Sequence, residues 1–194
     1  AWVPFMQCYH GIVSLDHAIY GALTVDGQEI DFTGGRGYIE KDWGRSFPEA
    51  WIWFQSNHFA TPGTSVTGSI AIIPWVRTAF PGFITGLWHG GHLYRFATYT
   101  GAKTERLVVT DQTVDWVVGD RRRRLEMFVT QGAGRGFGLL KGPDGAEMGK
   151  RINETLSATV RVRLTERREN RVLFEGTGRN AGLEVHEVEA RLLK

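Results

Sequence analysis

Apolar residues in this chain come in short runs rich in Val, Ile, Thr and aromatics, broken repeatedly by Gly, Pro, Asn or Asp. That is the pattern of strands joined by tight turns. The plainest hairpin is "YGALTVDGQEIDFT", in which Asp26 and Gly27 supply the two positive-φ residues of a type I′ turn between strands at 20–25 and 28–32. Further strands are expected at 37–43, 51–59, 65–75, 83–88, 93–99, 106–110, 113–118, 123–130, 156–165, 171–176 and 181–188. No segment sustains apolar residues at i, i+3, i+4 and i+7 behind a capping residue, so no helix beyond a turn or two is expected. Many strands without crossover helices predict an all-β fold, either an antiparallel lipocalin-like barrel or packed β-sheets. A barrel of about eight strands or more can enclose a ligand. The loosest segment, "QGAGRGFG" at 131–138, reads as a mobile loop.

Strand alternation assigns faces. Along 51–59 it groups Trp51, Trp53, Gln55, Asn57 and Phe59 against Ile52, Phe54, Ser56 and His58. Indoles in line with amides suit a cavity for a largely apolar ligand with a few polar atoms. They equally suit a barrel rim where the amides satisfy backbone groups. Along 37–43, Tyr38, Glu40 and Asp42 share one face, and Ile39, Lys41 and Trp43 the other. If the first face is interior, two carboxylates about 7 Å apart by strand rise make one of them a proton-holding general acid. If it is exterior, Glu-Lys-Asp is the ordinary charge pattern of an edge strand. The residues alone favour the exterior reading.

Composition narrows the classes. A chain of 194 residues is about the size of one domain, so 1–194 is expected to be a single β domain. Its 42% hydrophobic and 23% charged residues exclude a disordered chain. No run approaches the roughly 20 apolar residues of a spanning helix, and the start lacks a signal-peptide pattern. A cytoplasmic protein is therefore expected, with peripheral membrane contact compatible. The single cysteine, Cys8, excludes an internal disulfide or a multi-cysteine metal site and is expected to be a small core residue. A net charge of +2 gives no overall field for nucleic acid. Arg121, Arg122, Arg123 and Arg124 read as a solvated hairpin end, for which anionic lipid headgroups would be the matching partner. His89-Gly90-Gly91-His92 offers two imidazoles but no third ligand nearby in sequence, so no metal is expected. "GAGRGFG" lacks dinucleotide spacing, and neither a nucleophile elbow nor a P-loop is present.

The block "YIEKDWGRSFPEAWIWFQSNHF", residues 38–59, resembles the signature of the tocopherol cyclase family: Glu-Lys-(Asn or Asp)-Trp-Gly, then Phe-Pro, Trp-x-Trp and Gln-x-Asn. Glu40, Lys41, Trp43, Gly44, Phe47, Pro48, Trp51, Trp53, Gln55 and Asn57 all match without gaps. The resemblance continues in "PFMQCYHGIVSL", "GHLYRFATYTGAK" and "AGLEV". It implies an intramolecular cyclase that closes a chromanol ring without a cofactor, by protonating a prenyl double bond and letting a hydroquinone oxygen attack the tertiary cation. On this resemblance Asp42 or Glu40 is the acid, with Tyr38 and His10 as relays. Trp43, Trp51 and Trp53 stabilise the cation, an effect worth about 2 kcal/mol once water is excluded, and Gln55 and Asn57 bind the hydroquinone head. Asp42 stands where plant members have Asn and Gln7 where they have Glu, which suggests an acid exchanged between two places. The family also carries a further N-terminal β segment, so association with such a segment is expected. The competing reading is a lipocalin-like carrier of prenylquinones or other isoprenoids that performs no chemistry; a third is a related enzyme acting on another isoprenoid.

Overall fold

The computed structural model describes residues 6–75, 77–132, 137–144, 147–188 and 192. Fourteen strands account for most of them: β1 (Cys8–Ala18), β2 (Ala22–Val25), β3 (Gln28–Asp31), β4 (Arg36–Gly44), β5 (Trp51–Ser56), β6 (Ser65–Trp75), β7 (Thr78–His89), β8 (His92–Ala97), β9 (Lys103–Val109), β10 (Thr113–Gly119), β11 (Arg123–Thr130), β12 (Phe137–Asp144), β13 (Glu147–Glu166) and β14 (Arg171–His186). Between β8 and β9 lies one 3₁₀ turn, Thr98–Thr100. No helix among the described residues is long and apolar enough to cross a membrane.

The turns follow their residues. Asp26 and Gly27 take φ of 49° and 79° between β2 and β3, as a type I′ turn requires. Gly90 and Gly91 do the same, at 58° and 74°, between β7 and β8. Strand β7 begins before the expected 83, running through Pro81. It can do so because β8 pairs with β7 only from Ile84 onward, which leaves Pro81 on a stretch with one free edge, where a missing N–H costs nothing. The expected strands 171–176 and 181–188 are one strand, β14, whose pairing with β13 absorbs the intervening residues through register shifts.

The main sheet is antiparallel throughout, in the order β8-β7-β6-β5-β14-β13-β11-β10-β9, with β12 attached to β13. Its end strands β8 and β9 do not pair, so among the described residues the sheet does not close into the expected lipocalin-like barrel. It curls instead. Phe83 of β7 and Phe54 of β5 meet Trp116 of β10 edge-on at 5.7 and 6.1 Å. Thr85 Oγ1 reaches Met127 Sδ at 3.4 Å, and the Arg123 guanidinium lies 5.0 Å over the Tyr94 ring. The concave side is thus filled by one apolar cluster that includes Ile52, Phe54, Leu87, Trp116, Met127, Val162 and Leu164. Its members are largely excluded from solvent. Two smaller ribbons, β1–β4 and β2–β3, stand apart from this sheet.

Residues 133–136 of the expected mobile loop lie outside the described residues, while Phe137 and Gly138 open β12. His89 meets Thr64 Oγ1 at 3.1 Å and the Phe174 ring, and His92 packs on Tyr94.

Candidate active site

The ribbon β1–β4 lies across the convex face of the sheet, with β1 over β6. Between them is a cavity of about 540 Å³. Its floor is a set of cross-strand rows, since residues opposed in an antiparallel register project to the same side. One row runs Glu154, Glu184, Trp53, Ser69, Ile84 across β13, β14, β5, β6 and β7. The next runs Trp51, Ala71, Gly82. Small residues here give the floor its depth; a Cβ on Gly82 would lie 2.7 Å from Ile73. Phe47, Phe80 and Tyr99 wall the space, and Met6, Cys8, His10, Glu40 and Asp42 roof it.

The roof corrects the exterior reading of the Glu-Lys-Asp run. Glu40 and Asp42 line the cavity, whereas Ile39 and Trp43 are about half exposed on the other face, at 48% and 49%. Alternation gave the correct grouping but not its direction; the ribbon's position over the sheet decides that. Trp43 therefore does not line the cavity: it stacks on Tyr9 at 5.5 Å, with the Lys41 ammonium 4.6 Å above its ring. Cys8 is also not a core residue. It lines the cavity, and burial followed by the charge of Asp42 pushes its thiol up to about 11.

The polar groups of the roof form one proton network. His10 Nδ1 contacts Asp42 Oδ1 at 2.8 Å, and the two residues are directly opposed in the β1–β4 register. A carboxylate partner makes Nδ1 the donor, so in the neutral imidazole Nε2 carries the lone pair. Nε2 is buried, 3.7 Å from Glu40 Oε2, and makes no hydrogen bond among the described residues. Burial alone would lower the imidazole pKa, but the Asp42 hydrogen bond and the charges of Glu40, Asp42 and Glu184 outweigh it, so the pKa is raised. Tyr38 donates its hydroxyl to Glu40. Burial raises Glu40 above the ordinary carboxyl range despite that bond, and burial with the Glu40 charge raises Tyr38. Trp53 Nε1 is buried without a hydrogen bond of good geometry, although it sits near enough to Glu40 to favour its charged form.

The two amides do not join this set. Gln55 sits one row further along, opposite Thr67, with its side-chain nitrogen buried and unpartnered among the described residues. Asn57 donates to the Arg36 carbonyl at 3.3 Å and so braces the start of β4. Gln7 is exposed, beyond the inward series Met6, Cys8, His10, so positions 7 and 42 do not share a cavity wall across which an acid could be exchanged.

Two floor residues have no counterpart among the expected ones. Glu184 accepts a 2.7 Å hydrogen bond from Trp51 Nε1, and burial, helped by the charges of Glu154, Asp42 and Glu40, pushes it up to about 7. Glu154 is raised as well, by burial and then by Glu40. The signal for Glu184 was present in "AGLEVH", an acid alternating with Leu183 and Val185 in a strand otherwise apolar, but its partner Trp51 is 133 residues away. His10, Glu40 and Asp42 are also the one group among the described residues whose donor atoms, all within 4.8 Å, would reach a common cation. The His10 Nδ1–Asp42 hydrogen bond is one source of that closeness.

The family model described as "Tocopherol cyclase-like" matches residues 4–187. A tocopherol cyclase, chloroplastic, of Zea mays is 28% identical over 122 residues, covering 60% of this chain and 23% of the relative. A probable tocopherol cyclase, chloroplastic, of Oryza sativa subsp. japonica is 28% identical over 102 residues, covering 50% and 22%. The chain thus spans about a quarter of the length of these curated relatives. No solved structure matches.

Proposed function

The chain belongs to the tocopherol cyclase-like family, and on that premise we propose that its cavity closes a chromanol ring on a prenylated hydroquinone. The observation that carries this reading is the combination of apolar walls, four carboxyl groups and two buried ring nitrogens beside Glu40, His10 Nε2 and Trp53 Nε1, neither of which makes a hydrogen bond of good geometry among the described residues. Buried polar atoms of this kind call for a partner, and a phenolic head entering the cavity supplies one.

The reaction is an isomerisation. A carboxyl group protonates the prenyl double bond at its less substituted carbon, and the phenolic oxygen closes onto the tertiary cation. The phenolic proton passes to a base. His10 fits that base role: Asp42 holds Nδ1, and Nε2 carries the free lone pair. Asp42 thus orients the imidazole, Glu40 and Tyr38 complete the roof, and the faces of Trp51 and Trp53 stabilise the cation. Trp43, Gln55 and Asn57 act at a distance, by bracing the ribbon and the β5 row.

Incubation of the protein with a prenylated hydroquinone under anaerobic conditions, followed by chromatography and mass spectrometry, tests the reading. A chromanol of unchanged mass is the expected product. Stoichiometric binding with the substrate recovered intact would overturn the cyclase reading and leave that of a prenylquinone carrier.

A further inference from the structure

Two of the four carboxyl groups belong to the sheet, and the register places them as a pair. Glu154 of β13 and Glu184 of β14 are directly opposed, so they leave the sheet on the same side with Cβ atoms about 5 Å apart. Both line the cavity, beside Trp51, Trp53 and Ala71. Two carboxyl groups at that spacing over an apolar floor favour one of them staying protonated, because ionising both sets like charges against each other.

The surrounding charges do not relieve this. Glu184 faces Glu154 on β13, Glu40 and Asp42 on β4, and His10 and Cys8 on β1; along its own strand lies His186, stacked on Trp51 at 4.3 Å. Among the described residues lining the cavity only His10 can carry positive charge, and it is engaged with Asp42. The Trp51 indole N–H fixes Oε2 of Glu184, which leaves the other oxygen to bear the proton.

Resting on the ring-closing reading above, we propose that Glu184, paired with Glu154 and oriented by Trp51, is the acid that protonates the prenyl double bond, while His10 on the roof receives the phenolic proton. Acid and base then stand on different walls, the sheet and the ribbon, with the substrate between them. The balance is complete. The Glu184 O–H bond breaks as a C–H bond forms at the less substituted alkene carbon. The phenolic oxygen forms the C–O bond to the tertiary carbon, and its proton goes to His10 Nε2. The imidazolium returns that proton to the carboxyl pair through solvent as the product leaves. Ionised Glu184 sits beside the cation while it exists, which adds to the attraction of the indole faces.

Turnover and binding of a prenylated hydroquinone by Glu184→Gln test this, together with infrared pH titration of the carboxyl C=O band, which needs no turnover. The expected results are a loss of turnover of about 100-fold or more with substrate affinity kept, and loss of a carboxyl band that titrates near neutrality. Glu154→Gln should move the alkaline limb of the pH–rate profile to lower pH, because the like charge is gone. Trp51→Phe should move it to higher pH, because the bond favouring the carboxylate is gone; this pair reports on Glu184 even if Glu184→Gln folds poorly. Turnover of Glu184→Gln within about threefold of the parent, or an unmoved limb in both other variants, would overturn the proposal. If the parent binds substrate without converting it, the ring-closing reading fails, and the infrared band alone then decides whether Glu184 holds the proton.

Discussion

Three carboxyl groups and an imidazole around one apolar space make the folded state hold protons more firmly than the unfolded chain. Glu184, Glu40, Glu154 and His10 all have raised pKa values, mainly through burial for the acids and through Asp42 for His10. For each, the folded pKa exceeds the unfolded one, so its contribution is fully present below the unfolded value and is lost as pH rises through the folded one. Between the ordinary Glu value of 4.5 and about 7, Glu184 alone should cost about 1.4 kcal/mol of stability per pH unit. Denaturant unfolding of the parent should therefore weaken from pH 5 to pH 8, and Glu184→Gln should flatten that slope; an equal slope in both would contradict the assignment. Asp42→Asn should remove the charge and bond that raise His10, so the acid limb of turnover moves to lower pH while substrate binding persists. An unmoved acid limb would remove His10 as the base. Of these residues, Glu40 and Asp42 were legible in the sequence because they fall in a dense family block, and His10 because the resemblance continues into the segment around it. Glu154 and Glu184 were not, because only the strand register brings them beside Trp51.

Strand β5 shows how one element serves two purposes. Ile52, Phe54 and Ser56 face the packed interior, while Trp51 and Trp53 face the cavity. The interior side is fitted closely: a Cβ on Gly68, opposite Phe54 in β6, would lie 2.6 Å from the Phe54 ring, which is wholly buried and set against Trp116. Gly68→Ala should thus destabilise by about 1–3 kcal/mol through overpacking, while turnover per folded molecule stays unchanged because the cavity is on the other face. A neutral effect in denaturant unfolding would mean that Phe54 shifts freely. Hairpins with unambiguous turns, such as β2–β3, were readable from residues alone. Strand β1 was not, because its polar and apolar residues do not alternate cleanly and its pairing with β4 shifts register twice. Its absence from the predicted strands is also why the inward direction of Tyr38, Glu40 and Asp42 was not visible.

At the scale of the molecule, the expected all-β antiparallel fold formed, but the ligand space is not where a barrel would put it. The inner side of the curl carries the apolar core cluster, and the cavity exists because the β1–β4 ribbon is laid over the convex face. Long-range packing of that kind leaves little trace in local periodicity, so a sequence that announces strands does not announce which side of the sheet is covered. The central claim is that this covered face protonates a prenyl double bond and closes a ring. Turnover of a prenylated hydroquinone in D₂O tests it most directly, with the product examined by mass spectrometry and NMR. The account predicts a chromanol carrying one deuterium on the ring carbon next to the new ether carbon, delivered by the cavity's carboxyl group. Recovery of unlabelled substrate, or a chromanol without carbon-bound deuterium, would contradict it.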